Sequence, residues 1–314
     1  VITGDSQESI IGALKIIAAK LIGKNTADFE ELLLTIQNSV VNNTSAKAAL
    51  DIALHDLVAK SMHQPLYKFL GGGKPELKIL TTVSVKAVAE MVEDAQLFVA
   101  QGFETLKIKV GLNPAEDIQR LKAIREAVGD SISILSDANQ GWDAKSALQI
   151  IDSLAAHNLG IAMVEQPVKA WDYANLKYVR DNSRIPIYAD ESAFNLRDVS
   201  KIIQAQMADG ININLMKSAG LYAARPIYDL ATSHNLPCMA GCMLESPIGL
   251  AAMAAFVVGK SNIKFVDLDP IAMIKSNPVI GGVRLDGATL HLSTGAGLGI
   301  ENIQGLIPVV TIGA

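Results

Sequence analysis

Residues 105–137 read TLKIKVGLNPAEDIQRLKAIREAVGDSISILSD and contain one complete β–α–β unit. Thr105–Lys109 is a short β-rich run. Asn113 is placed to cap a helix, Pro114 suits its first position, and Glu116 and Asp117 stand in its positively polarised first turn. Ile118, Leu121, Ile124 and Val128 recur every three or four residues, which gives one buried face before Gly129 ends the helix. Further candidate strands lie at Ile79–Val83, Ile132–Ser136, Ala162–Glu165, Pro186–Ala189, Ile211–Leu215, Cys238–Gly241 and Lys264–Leu268, with helical runs between consecutive members. Such alternation builds a parallel sheet covered by helices. Eight units in about 200 residues predict an α/β fold with a (β/α)8-type barrel, regular or modified, over an open doubly wound sheet.

Outside that count, Gln7–Lys20, Asp28–Asn38 and Ser45–Ser61 read as three helices that lead into Gly71-Gly72-Gly73. After Ile274, the stretch Gly281–Gly299 reads as short strands with glycine turns. The expected organisation is an N-terminal part of an α+β capping domain at 1–76, a barrel at 77–274 and a segment at 275–314 that returns to the cap. The chain of 314 residues is 50% hydrophobic and 19% charged, which excludes disorder. A net charge of −5 without a basic block argues against nucleic acid as a partner. The longest apolar stretch, Ile248–Gly259, is about half of the roughly 20 residues that a bilayer span needs, so no membrane segment is expected. Cys238 and Cys242 are too few for a disulfide framework and lack the company of a zinc site; reduced thiols and a cytoplasmic location are expected. Gly295, Gly297 and Gly299 approximate a dinucleotide pattern, but no βαβ unit follows them. His55, His63, His157, His234 and His291 all fall away from strand ends.

In a (β/α)8 barrel, chemistry is carried at the carboxyl ends of the strands. Asp137, Glu165 and Asp190 close the third, fourth and fifth strands. Taken singly, each reads equally well as a helix cap or a surface acid. Together they converge on one rim, where their repulsion calls for a cation, and hard oxygen donors with no His or Cys nearby favour Mg2+ over zinc. On the second strand Lys107 and Lys109 share a face by parity, and inward placement beside a metal is expected to lower a lysine pKa toward that of a base. Asp267 and Asp269 share a face on the eighth strand and suit a substrate ammonium.

In family order, the motifs Thr-Gly-Asp-Ser, Lys-Ile-Lys-Val-Gly, Asp-Ala-Asn-Gln-Gly-Trp, Val-Glu-Gln-Pro, Ala-Asp-Glu-Ser, Gly-Cys-Met-Leu-Glu-Ser and Asp-Leu-Asp resemble the dipeptide epimerases of the muconate-lactonizing subgroup of the enolase superfamily. The resemblance runs essentially end to end. It implies that Asp137, Glu165 and Asp190 bind one Mg2+ per subunit, which holds the substrate carboxylate and stabilises an ene-diolate. It also implies Lys109 as an acid/base with Lys107 as its companion near that carboxylate. Asp267 and Asp269 take the ammonium of a dipeptide, and Thr82, Cys242 and Met243 line the pocket. A homo-oligomer is the expected assembly. One position departs from the pattern: the family's second base is the lysine of Asn-Ile-Lys-Leu, and here the motif reads Asn212-Ile213-Asn214-Leu215. Lys217 is the nearest substitute, at an odd offset that points it away from the face of Asn214 unless the chain turns at once. Alternatives to epimerisation are therefore a one-base lyase or cycloisomerase and a dipeptide-binding variant with impaired catalysis. The chain starts Val1-Ile2-Thr3-Gly4 without Met, signal pattern or the family's strand-rich opening, so its biological start is expected upstream.

Overall fold

A computed structural model describes residues 2–309 and 311 of the chain. Four helices come first, α1 (Gln7–Leu21), α2 (Phe29–Asn38), α3 (Thr44–Ser61) and α4 (Leu66–Phe69), followed by strand β1 (Glu76–Lys78). Strands and helices then alternate: β2 (Thr81–Val83), α5 (Val88–Ala100), β3 (Thr105–Lys109), α6 (Pro114–Val128), β4 (Ser133–Asp137), α7 (Ala144–Ala156), β5 (Ile161–Glu165), α8 (Tyr173–Asn182), β6 (Ile187–Ala189) and α9 (Leu196–Gln204). The series continues with β7 (Gly210–Ile213), α10 (Leu215–Ser218), α11 (Leu221–Ser233), β8 (Cys238–Ala240), α12 (Pro247–Val257), β9 (Ile263–Val266) and α13 (Pro270–Met273). Four short strands end it, β10 (Val279–Gly281), β11 (Val283–Asp286), β12 (Thr289–Leu292) and β13 (Ile300–Ile303).

Strands β2 to β9 form one parallel sheet of eight in sequence order. The sheet curls on itself, and Leu80 N–H donates to Val266 O at 2.9 Å where the first and last strands meet. Asn113 caps α6 as its spacing predicts, its side chain accepting from Ala115 N–H at 3.1 Å. The run Ile79–Val83 is divided between two sheets: β1 pairs antiparallel with β12, Ile79 N–H donates to Ala288 O at 2.9 Å, and only Thr81–Val83 joins the barrel. The cap therefore extends to Lys78, past the expected boundary at residue 76. The run Ile211–Leu215 also ends early, at Ile213, because the Asn214 side chain accepts from Met216 N–H at 3.0 Å and starts α10. The C-terminal segment returns to α3 and α4, with Leu66 N–H donating to Gly297 O at 2.6 Å and Leu298 N–H to Asp56 Oδ1 at 2.6 Å.

Strand pleat places the site. Leu80, Leu135, Met163, Tyr188 and Met239, with Phe265 against them, form a buried cluster inside the barrel, separate from the core beneath the helices. Two residues further along each chain, on the same face, stand Thr82, Asp137, Glu165, Asp190, Gly241 and Asp267. A polar ring thus lies one layer above an apolar plug. Gly210 makes room for that plug, since a Cβ there would fall inside the Tyr188 ring. Gly210→Ala is accordingly expected to destabilise the fold by about 1–3 kcal/mol through overpacking. A urea denaturation midpoint equal to that of the parent chain would show that Tyr188 does not depend on this space.

Candidate active site

Lys107 sits at the centre of the polar ring and is 4% exposed. Its Nζ lies 2.7 Å from Asp267 Oδ2, 3.1 Å from Asp137 Oδ2 and 3.1 Å from Glu165 Oε2. Lys109 Nζ donates to Asp137 Oδ2 and to Asn139 Oδ1, each at 2.6 Å. Both lysines share one face, as their parity requires, and that face is the inward one; the register sets Lys109 beside Asp137 and Asp137 beside Glu165.

The loops that carry these groups are tied at their bases. Asp117, fully buried on α6, accepts from Gly111 N–H at 2.9 Å and from Trp142 Nε1–H at 3.0 Å, which joins the loop after β3 to the loop after β4. Gln166 Oε1 accepts from Asp190 N–H at 2.9 Å and Ser192 N–H at 3.1 Å, which fixes the turn after β6. Asp269 Oδ2 accepts from Thr82 N–H at 2.6 Å, so the acidic pair after β9 is clamped to β2.

A cavity of about 660 Å3 opens above the ring. Thr82, Lys107, Lys109, Asp137, Asp190, Cys242, Met243, Asp267 and Asp269 line it, together with Thr3, Asp5 and Ser45 from the cap. Asn214 and Lys217 do not. The chain does turn at once after β7, yet Lys217 is 1% exposed and its ammonium is bound to the Asp190 carboxylate, to Asp190 O at 2.8 Å and to Asn212 O at 3.0 Å. It stands behind Asp190, away from the cavity. Four groups that the sequence reading did not single out belong to the site: Asn139, Glu191, Asn212 and Glu245. Asn212 Nδ2 donates to Glu165 Oε1 at 2.6 Å, and Asn139 Nδ2 donates to Glu191 Oε1 at 3.2 Å. Pleat parity with Asp137 and Asn214 marks Asn139 and Asn212 as inward residues; Glu191 and Glu245 lie in loops, where no periodic signal exists.

The charges are unequal in their effects. Burial alone would pull the Lys107 ammonium down, but Asp267, Glu165 and Asp137 outweigh it and hold it well above the usual lysine range. Three carboxylates, not Lys109, dominate the surroundings of Lys107 when no cation lies beside it. Burial resists charge on Asp137, but Lys107 and Lys109 overcome it and lower its carboxyl to about 2. Burial, with Asp137 adding to it, raises Glu165 to about 8. Burial, with Asp190 next, raises Glu191 to about 7; burial raises Glu245 to about 7. Burial and then Asp267 raise Asp269 to about 6.

These observations fit a hard divalent cation. Glu165 Oε2 is buried and accepts no hydrogen bond, with the Lys107 ammonium at 3.1 Å as its ion-pair partner, and repulsion from Asp137 and Asp190 adds to burial in raising its carboxyl above the usual range. Among the described residues no three metal-ligating side chains already converge around a common point, and Lys107 is the cation that Asp137 and Glu165 share. The donor chemistry is all oxygen, which suits Mg2+.

Residues 90–304 match the family model for the enolase C-terminal domain-like fold, and residues 1–71 match that for the mandelate racemase / muconate lactonizing enzyme N-terminal domain. The chain belongs to the enolase superfamily, in its dipeptide epimerase group. The L-Ala-D/L-Glu epimerase of Clostridium acetobutylicum is 42% identical over 304 residues, 96% of this chain and 85% of that protein. A substrate-liganded complex of the L-Ala-D/L-Glu epimerase from Bacillus subtilis superposes with a TM-score of 0.94 at 42% identity, covering 96% of this chain and 85% of that one. The dipeptide epimerase of Enterococcus faecalis V583, complexed with Mg and L-Leu-L-Tyr, superposes with a TM-score of 0.92 at 38% identity, covering 96% and 85%. Among the described residues of this superfamily member, no helix is long and apolar enough to cross a membrane.

Two outcomes follow from the electrostatics. Glu165, Glu191, Glu245 and Asp269 all titrate higher folded than unfolded, so the folded chain binds more protons between about pH 4 and pH 8 and its stability falls as pH rises through that window. Thermal melts are expected to show this fall without a divalent cation and a smaller one with Mg2+, which takes over from the protons; identical curves would contradict it. Lys217→Met strands a buried Asp190 carboxylate and is expected to cost about 3–5 kcal/mol in urea denaturation, most of it recovered by adding Asp190→Asn. An undiminished Lys217→Met protein would mean that the pair contributes nothing.

Proposed function

We propose that the protein acts on a dipeptide and removes the α-proton of the residue that bears the free carboxylate, with Lys109 as the base. Support comes from one observation above all: a lysine pair, carboxylates from β4, β5 and the turn after β6, and a second acidic pair line or border a single cavity at the barrel mouth. Asp137, Glu165 and Asp190 would hold one Mg2+. When bound, that ion neutralises the substrate carboxylate and so makes the α-proton more acidic. Lys107 adds positive charge beneath the same carboxylate. Asp267 and Asp269 take the dipeptide's ammonium, a charge that lowers the cost of their own proximity. Thr82 holds Asp269 in place, and Cys242 and Met243 shape the wall. Both cysteines are free thiols, consistent with a cytoplasmic enzyme.

The two faces of the substrate are not equivalent in this reading. The Asn214 side chain is 1% exposed and engaged as the cap of α10, and an amide transfers no proton in this range. Lys217 is committed to Asp190. Proton transfer is therefore confined to the Lys109 face, and the family reaction is reduced to its first half. In D2O with Mg2+, the epimer that presents its α-proton to Lys109 is expected to exchange it, while full epimerisation runs at least about 100-fold slower, the size of a missing general acid or base. Asn214→Lys is expected to restore that factor. Equal exchange in both epimers of the unaltered chain would overturn the one-base reading, and exchange in neither would leave a dipeptide-binding protein without turnover. A one-base lyase or cycloisomerase would need no second base at position 214, but its substrates carry no ammonium for Asp267 and Asp269.

A further inference from the structure

A crevice larger than the cavity at the barrel mouth lies elsewhere on the molecule. It has a volume of about 1040 Å3 and runs between cap helices α2 and α3 and the outer barrel helices α11 and α12. Phe29, Leu33, Leu221 and Phe256 give it apolar walls. Lys47, on α3, also lines it; its stem is buried, while its ammonium keeps access to solvent and has no hydrogen bond or ion pair among the described residues.

The acids nearby are already spent. Asp51 stands one turn along α3 from Lys47, where an i,i+4 partner belongs. Its carboxylate instead accepts from Leu221 N–H at 2.6 Å and Tyr222 N–H at 3.2 Å, with His55 Nδ1 at 3.3 Å. Glu30 accepts from the Tyr222 hydroxyl at 2.6 Å, and Asp229 from Arg225 Nε at 2.8 Å. Arg197 and Lys260 add positive charge to the same lining. Partial burial leaves the Lys47 ammonium short of water and without a counter-charge, which is costly and pulls it below the usual lysine range. An anion supplied from outside the chain removes that cost.

We propose that this crevice is a second ligand site, for a small amphipathic anion whose carboxylate or phosphate head pairs with Lys47 while its apolar body lies along Phe29, Leu33 and Phe256. Its walls come from both cap and barrel, so a bound ligand ties the two together. It does so behind the α10–α11 junction, which the same Asp51 anchors and which follows directly on Asn214 and Lys217.

Titration calorimetry with octanoate, octyl phosphate and uncharged octanol tests the assignment on the whole chain. At least one anion is expected to bind about tenfold or more tightly than octanol, and the tighter of the two identifies the head group. Lys47→Met is expected to remove that advantage, Lys47→Arg to keep most of it, and Ala223→Trp, which fills the crevice from α11, to abolish binding of all three. Exchange of the dipeptide α-proton is expected to be unchanged in Lys47→Met, and anion binding to persist with Mg2+ and dipeptide present. The proposal is overturned by an absence of anion binding, by equal affinity in Lys47→Met, or by displacement of the anion by dipeptide.

Discussion

Carboxylates from three strands or strand ends, Asp137, Glu165 and Asp267, face one another across the Lys107 ammonium at the mouth of a barrel otherwise filled by Leu, Met and Tyr side chains. Charges of one sign so close together and so far from water repel strongly, and only opposite charge among them makes the arrangement tolerable. Lys107 and Lys109 supply part of it. The remainder shows in the protons that burial keeps on Glu165 and Glu191, and in the buried Glu165 oxygen that accepts no hydrogen bond. That surplus of negative charge is what the proposed Mg2+ and dipeptide ammonium would offset.

Everything that holds these groups in place follows from needing them at one height. Pleat alternation lifts a polar residue above five of the six plug residues, with Gly241 above the sixth, and Gly210 lets Tyr188 occupy the plug without displacing Asp190 two residues on. The loops then need little freedom. Asp117 joins two of them and Gln166 fixes a third, each a buried side chain that satisfies backbone donors with no partner in a strand or helix ladder.

The cap meets the barrel through a second buried acid. Asp51 satisfies two N–H groups at the start of α11, where a helix N-terminus leaves donors open, and so locks α3 against the segment that follows β7. On one side of that lock, Ser45 and its neighbours reach the catalytic cavity; on the other lies the crevice that buries Lys47. One helix of the cap thus borders both cavities of this superfamily member.

Much of this was legible in the sequence because it depends on local periodicity. Eight β-rich runs separated by amphipathic helices specify a barrel, and period-two parity turns Lys107 and Lys109 to one face whatever the rest of the chain does. Departures arose where a group bonded outside its own element: the Ile79 N–H to the cap, the Asn214 side chain to the backbone ahead of it, the Lys217 ammonium to Asp190. The sequence by itself determined the barrel, the carboxylates that close its strands and the presence of Asn214 in the Asn-Ile-Asn-Leu run that ends the sixth candidate strand. Only the tertiary structure decided that three carboxylates surround Lys107, that Lys217 is spent behind Asp190 and that the Lys47 ammonium has no partner among the described residues, because each depends on groups brought together from distant parts of the chain.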